Sequence, residues 1–446
     1  MLRLFLNKFN LKNYLPSIIL MGMFLSPHGI GYRFPIGHID APRFFVLGVV
    51  TVWCVKSSRH FFKLNFFQKQ PGVLLFIVLV SLTMSSAIFS SSPLDSSILA
   101  IQMCTLWYGF AIAYVSLFFE ELRGQILNKT LVVIFSVLSV AALYEVVTQG
   151  YLFPDSVRTS FSGYNSYSPY RSGGILAQGP FMWNHGLSGF CAAGCGAAIF
   201  ALDKAKKWGF LFAFVFVALL IASGTRAGFY GVAIAFLAYT VWSRKFVYFL
   251  HFCISSAVVN LAYLLFIGNH APPFFSGDIN STWVNMVPSM TVISEKFKNT
   301  LLSPELTAFF SSLGPVGVKI MGFILNIFQL NEWWLNGYGF GSFQRPHLVS
   351  SSAIQYDDPG IIQLIFLESG LIAGFFVVFI LVSATWIGLK SERTKYYSAG
   401  ITAWSLFALS SWEVWPIPLI MIFVFEIFHA RFVALTSTGE KLRSLR

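Results

Sequence analysis

Apolar runs of membrane-crossing length alternate along this chain with short polar breaks, and the alternation predicts helices. Twelve runs stand out, at approximately residues 14–31, 43–56, 72–91, 97–119, 130–149, 182–202, 208–223, 227–243, 246–267, 361–386, 396–412 and 415–432. A hydrocarbon core of about 30 Å needs roughly 20 residues per helical crossing, and a helix satisfies its own backbone hydrogen bonds there. The expected fold is an all-α polytopic membrane protein of about 12 transmembrane helices, a single integral membrane domain over residues 1–446. Only two breaks are long, 150–181 and 268–360, and any chemistry that needs polar groups has to be sought in them or at their borders.

Composition narrows the class further. The 446 residues are 56% hydrophobic, 17% aromatic and 11% charged, too little polar surface to cover a soluble protein of this size. The net charge of +12 follows from topology. With both termini cytoplasmic, most basic residues fall on the cytoplasmic side: Lys56, Arg59, Lys63 and Lys69 after the second run, Lys204, Lys206 and Lys207 after the sixth, Lys390, Arg393 and Lys395 after the tenth. Nucleic-acid binding is then an unneeded explanation of the charge. The first run lacks a small-residue cleavage site and reads as a retained helix. Cys54, Cys104, Cys191, Cys195 and Cys253 all lie in or at the edge of runs, so no disulfide framework is expected. Cys191 and Cys195 read as small packing residues beside Gly194 and Gly196.

On this topology both long breaks face outward. The first (FSGYNSYSPYRSGGILAQGPF) is rich in Tyr, Ser, Gly and Pro, suited either to sugar rings or to the aromatic belt of the membrane surface. The second opens on APPFF and contains LTAFFSSLGPVGVKIMGFILNIFQL, a helical pattern interrupted by Gly314, Pro315 and Gly317. That pattern predicts a re-entrant or interfacial helix, with short helices carried in the large outer loop.

Arg226, in SGTRAGFYG between the seventh and eighth runs, lies at the outer boundary with no acidic residue within one helical turn. An arginine at membrane level costs about 2.5–3.5 kcal/mol on insertion scales and is usually paired or functional. Snorkelling to the interface is one reading. The other is a fixed cation for phosphate oxygens, which a guanidinium holds bidentately.

Four segments, in order, resemble the bacterial O-antigen polymerase and O-antigen ligase superfamily: GPFMWNHGLSGF at the sixth run, SGTRAGFYG, WWLNGYGFGSF in the large outer loop, and IIQLIFLESGLIAGFF opening the tenth run. The resemblance covers roughly residues 170–385. It implies a GT-C-like fold and transfer of an undecaprenyl-pyrophosphate-linked glycan to an acceptor hydroxyl at the periplasmic face of the bacterial inner membrane. No cofactor, metal or nucleic-acid partner is implied; a chain-length regulator is a possible partner alongside the lipid bilayer. Within the superfamily, the readings are polymerase and ligase.

The site residues implied are these. Arg226 stabilises charge growing on the pyrophosphate. The family's second cation, in the large loop, falls by spacing on Lys319, with Lys296, Lys298 and Arg345 as competitors; Arg171 is a third cation. Ligases carry a His followed by a polar residue before the tenth run, but here Pro359 and Gly360 stand there, behind Asp357 and Asp358. The general base is then Asp358, Asp357 or His347, and the missing His tilts the reading toward polymerase. Glu368 is a candidate to pair with Arg226, Asn184 and His185 match the turn starting the sixth run, and Tyr338 lies in the glycine-rich motif. A runner-up from another class is a polytopic transporter or lipid-linked glycan flippase, which would concentrate its polar groups near the midplane.

Overall fold

A computed structural model describes residues 11–28, 31–34, 37–58, 71–90, 92–122, 125–153, 170–171, 174–181, 183–266, 337–341, 360–409, 411 and 413–444. Helices occupy all twelve predicted positions. They are α1 (Leu11–Leu25), α2 (Ala41–Ser57), α3 (Pro71–Ile88), α4 (Pro93–Cys104) continuing through a π-helical turn at Thr105–Gly109 into α5 (Phe110–Leu122), and α6 (Ile126–Thr148). The second half follows as α7 (Asn184–Lys204), α8 (Lys206–Ala222), α9 (Arg226–Ser243), α10 (Val247–Phe266), α11 (Ile361–Leu389), α12 (Lys395–Ala408) and α13 (Ile417–Ser444). Among the described residues, five helical stretches are long and apolar enough to cross a membrane: Pro93–Glu120, Ile126–Thr148, Asn184–Lys204, Ile361–Leu389 and Ile417–Thr436. Shorter apolar helices accompany them, including Gly72–Ile88 and Lys207–Ala222.

Two small hairpins interrupt the helices, a feature hydropathy does not predict. β1 (Gly31–Phe34) pairs antiparallel with β2 (Gly37–Asp40), and β3 (Tyr170–Arg171) with β4 (Gly174–Ile175). Four-residue and two-residue strands leave too short a period-2 pattern to be read from sequence. The first run also ends early, at Leu25, and the twelfth run continues as helix to Ser444.

The centre of the protein is α7, buried almost all round and packed against α6, α8, α9 and α12. Its small residues permit that. A Cβ on Gly196 would stand 2.0 Å from the carbonyl oxygen of Tyr396, and one on Gly400 2.2 Å from that of Ala193, so α7 and α12 touch backbone to backbone. Cys195 fits the same contact, its thiol donating to the Ala399 carbonyl at 3.3 Å.

Contacts sort the helix ends into two groups. At one end the Asp203 carboxylate receives Lys245 and Lys395, with Tyr396 donating at 2.6 Å and Tyr248 at 2.9 Å. Arg393 pairs with Glu426 close by, and its guanidinium lies 4.9 Å over the Phe119 ring. This is the lysine-rich end. The other, loop-rich end joins the α1–β1 connection, the 149–183 segment, the α8–α9 turn, the start of α11 and the α12–α13 connection. His28 N–H donates to the Pro180 carbonyl at 2.8 Å, the His28 ring meets Trp415 edge-on at 4.1 Å, and Ile361 N–H donates to the Ser411 carbonyl at 2.9 Å.

Candidate functional site

The loop-rich end is built around the α8–α9 turn. Gly224 takes φ +66°, the left-handed conformation glycine adopts without penalty, and turns the chain so that Arg226 becomes the first residue of α9. The turn is held from α7: the Asn184 side-chain amide donates to the Ser223 carbonyl at 2.9 Å and to the Thr225 hydroxyl at 3.3 Å. Asn184 therefore does not cap its own helix; Trp183 occupies the N-cap position with no side-chain cap bond. The Thr225 hydroxyl, engaged by Asn184 and the Ser223 carbonyl, leaves the first N–H groups of α9 without a side-chain cap. Next to the turn, Ala177 N–H donates to the Ala222 carbonyl at 2.9 Å, tying in the 149–183 segment.

Arg226 is half-buried at the positive end of the α9 dipole, a position that disfavours a cation on helix stability alone. It forms no ion pair with any described carboxylate, Glu368 included. The expected Arg226–Glu368 pair is thus replaced by two separate arrangements. The guanidinium and the uncapped N–H groups of α9 instead lie at one helix end, a setting for an anion.

Glu368 belongs to the second arrangement. Helix α11 is broken at Gly370 (φ 85°, ψ 171°), which takes the carbonyls one turn earlier out of the α-helical ladder. The glycine-rich motif claims them: Tyr338 N–H donates to the Leu367 carbonyl at 2.8 Å and Gly339 N–H to the Glu368 carbonyl at 3.1 Å, while the Ser86 hydroxyl also donates to Glu368. Each motif glycine has positive φ, at 68° for Gly337, 95° for Gly339 and 86° for Gly341. Their missing side chains allow the approach, since a Cβ on Gly339 would stand 2.2 Å from that of Ser90. Irregular backbone at this depth is tolerated because it is buried against α3, α4 and α11. Glu368 lines a cavity of about 20 Å³ with Thr83, Trp107 and Tyr108, room for about one water.

Other predicted residues distribute as follows. His185 is exposed one position beyond Asn184, and Tyr338 is half-buried in the glycine-rich motif. Arg171 lies in β3, paired with Gly174. Lys319, Lys296, Lys298, Arg345, His347, Asp357 and Asp358, the interrupted helix at 309–330 and most of 268–360 lie outside the described residues. The backbone after Asp358 is nonetheless anchored: a Cβ on Gly360 would stand 2.4 Å from the Ala408 carbonyl oxygen, and Ile361 is bonded to Ser411.

Two carboxyl groups at this end have no counterpart in the sequence reading. Glu145, fully buried near the end of α6, accepts main-chain N–H groups from Leu152 at 3.0 Å, Gln178 at 2.8 Å and Gly179 at 2.9 Å. Glu413, between α12 and α13, is buried, and burial pushes its carboxyl up to about 7, with backbone N–H groups of Trp415 and Val414 pulling back. Its neighbour Trp415 carries the Arg43 guanidinium 5.3 Å from its ring centre, and Arg43 is itself paired with Asp40 at 3.0 Å. Neither carboxyl has a local motif to reveal it: both accept from main-chain N–H groups, which leave no side-chain signature in the sequence. In comparisons with known proteins, the chain matches no family model, no curated protein and no solved structure.

Proposed function

We propose that the protein is a glycosyltransferase of the bacterial inner membrane that moves undecaprenyl-pyrophosphate-linked glycan onto an acceptor hydroxyl at the periplasmic face, with a GT-C-like arrangement of twelve spans and both termini cytoplasmic. The polymerase reading is preferred to the ligase reading because the ligase-type His is replaced by Pro359 and Gly360. The observation that carries the proposal is the placement of Arg226 at the uncapped N-terminus of α9, on a turn locked by Asn184, without a described carboxylate to neutralise it.

The chemistry follows from that placement. As the glycosidic C1–O bond to pyrophosphate breaks, its electron pair goes to the phosphate oxygen, and a cation fixed beforehand lowers the barrier most where the charge grows. Arg226 and the first N–H groups of α9 supply that field together. The acceptor oxygen attacks C1 and its proton passes to a base; Asp358, Asp357 and His347 remain the residues assigned to that step. Lys319, Arg345 and Arg171 are assigned to the pyrophosphate and glycan, and Tyr338 and Glu368 to the floor of the site.

Surface glycan from a strain lacking the gene tests the reading. Loss of the long-chain ladder, with single repeat units still attached to the acceptor, is the outcome for a polymerase. Full-length polymer accumulating on the undecaprenyl carrier identifies a ligase. An unchanged glycan with normal attachment overturns both.

A further inference from the structure

We propose that a groove along α6, α8 and α10 holds the polyprenyl tail of the pyrophosphate carrier, an inference that rests on the proposed function and locates the lipid half of its substrate. Two cavities make up this groove. The first, about 560 Å³, is lined by α6, α8 and α10 and reaches Gln149, Ala222 and Tyr263 at the loop-rich end. The second, about 510 Å³, continues along α6 and α8 to Ala205 and Trp208 at the lysine-rich end. Ser139, Leu143 and Val215 line both, so the two meet at one waist.

Three features select the occupant. The lining is aliphatic and aromatic apart from a few short polar groups, such as Ser136, Ser139 and Gln149, so a hydrocarbon chain is favoured. Ala222, in the lining of the first cavity, lies one residue before the Ser223–Gly224–Thr225–Arg226 turn, so the loop-rich end of the groove adjoins the turn assigned to the pyrophosphate. Length separates a polyprenyl chain from a phospholipid acyl chain. The lining runs from Val132 to Gln149 on α6 and from Trp208 to Ala222 on α8, about 26 and 21 Å at 1.5 Å per residue. An acyl chain reaches only half of a core about 30 Å thick. A chain whose head is fixed at the loop-rich end has to exceed one leaflet to fill the groove, and a polyprenyl tail does.

The test is photolabelling of the full-length protein in nanodiscs by a polyprenyl pyrophosphate bearing a diazirine near the far end of its tail. Labelling is expected in the peptides that hold Ala205 and Trp208 and in α6 near Val132. Unlabelled polyprenyl pyrophosphate should suppress it, and excess phosphatidylglycerol should not. Ser139→Trp, which plugs the waist, is expected to cut labelling by about tenfold, while Ile234→Trp, on an exposed face of α9 outside the groove, leaves it unchanged. Label spread over all lipid-facing helices, competition by phosphatidylglycerol, or an insensitive Ser139→Trp variant overturns the proposal. Groove labelling in a protein that transfers no glycan would instead leave the tail site standing and overturn the glycosyltransferase reading.

Discussion

The Asn184 side-chain amide donates to the Ser223 carbonyl at 2.9 Å, joining the start of α7 to the turn that presents Arg226. This bond links two sequence motifs 39 residues apart and makes the orientation of Arg226 depend on a residue that never needs to touch substrate. On the proposed function, in which Arg226 stabilises charge on the leaving pyrophosphate, Arg226→Ala is expected to abolish glycan transfer while leaving insertion and expression intact, since the half-buried side chain packs little core. Arg226→Lys keeps a point charge without the fork and should retain partial activity. Asn184→Ala leaves the cation but frees its turn, so activity should fall by about tenfold or more, consistent with the sensitivity of catalysis to small misplacements. Transfer of a lipid-linked repeat by purified variants measures all three, and wild-type rates in Arg226→Ala would remove the residue from the mechanism.

Glu145 secures the other wall of the loop-rich end. Its two carboxyl oxygens take three main-chain N–H groups from both ends of the 149–183 segment. Truncation to Ala leaves three donors, two of them fully buried, without that acceptor; at about 1–3 kcal/mol for each orphaned group, the expected loss is on the order of 3 kcal/mol or more. Glu145→Gln should cost less, since one oxygen still accepts while the new amide opposes an N–H. Thermal unfolding in detergent gives the ranking, and limited proteolysis should cut the Glu145→Ala variant first between residues 150 and 181. Equal melting temperatures for wild type and Glu145→Ala would show that the segment is held by other contacts.

Helix positions were legible in the sequence because each helix is a long apolar run between polar breaks, and the basic residues Lys204, Lys245 and Lys395 do gather at one end around Asp203. Asn184 and Arg226 were each singled out by a motif at a helix start, but the hydrogen bonds that join Asn184 to the turn before Arg226 were not foreseen. What hydropathy could not carry is partner choice across the fold. Glu368 as a carboxylate in an apolar run suggested a partner for Arg226, yet its backbone carbonyl, freed by the break at Gly370, is what receives the glycine-rich motif. Glu145 and Glu413 lacked any local pattern, since their ligands are N–H groups, which every residue except proline carries.

The glycines of the 337–341 segment are predicted to be structural in the strict sense. Gly339→Ala places a Cβ 2.2 Å from that of Ser90 and 2.7 Å from its Cα, at φ +95° where an L side chain is strained. Gly339→Ala should therefore undock the segment from α11, with a cost of about 1–3 kcal/mol from strain beyond the lost hydrogen bonds to Leu367 and Glu368. A cysteine at Tyr338 reports the docking: maleimide reaction should be slow in the parent background and accelerate in Gly339→Ala. Unchanged labelling rates in the two backgrounds would contradict the docking role.

Glu413 makes a prediction about pH whose sign follows from its burial. Its carboxyl is raised from 4.5 to about 7 in the fold, so between those values the folded chain holds a proton that the unfolded chain has released. The folded state then binds more protons, and stability falls as pH rises through this window, by on the order of 3 kcal/mol in full. Above about pH 7 the buried carboxylate is compensated by the Trp415 and Val414 N–H groups, with no cation among the causes that set its titration. Glu413→Gln, neutral at every pH, should remove this slope. Its melting temperature is expected to match wild type near pH 5 and to exceed it by several degrees near pH 8. Parallel melting curves for the two proteins across that range would assign the slope to other groups.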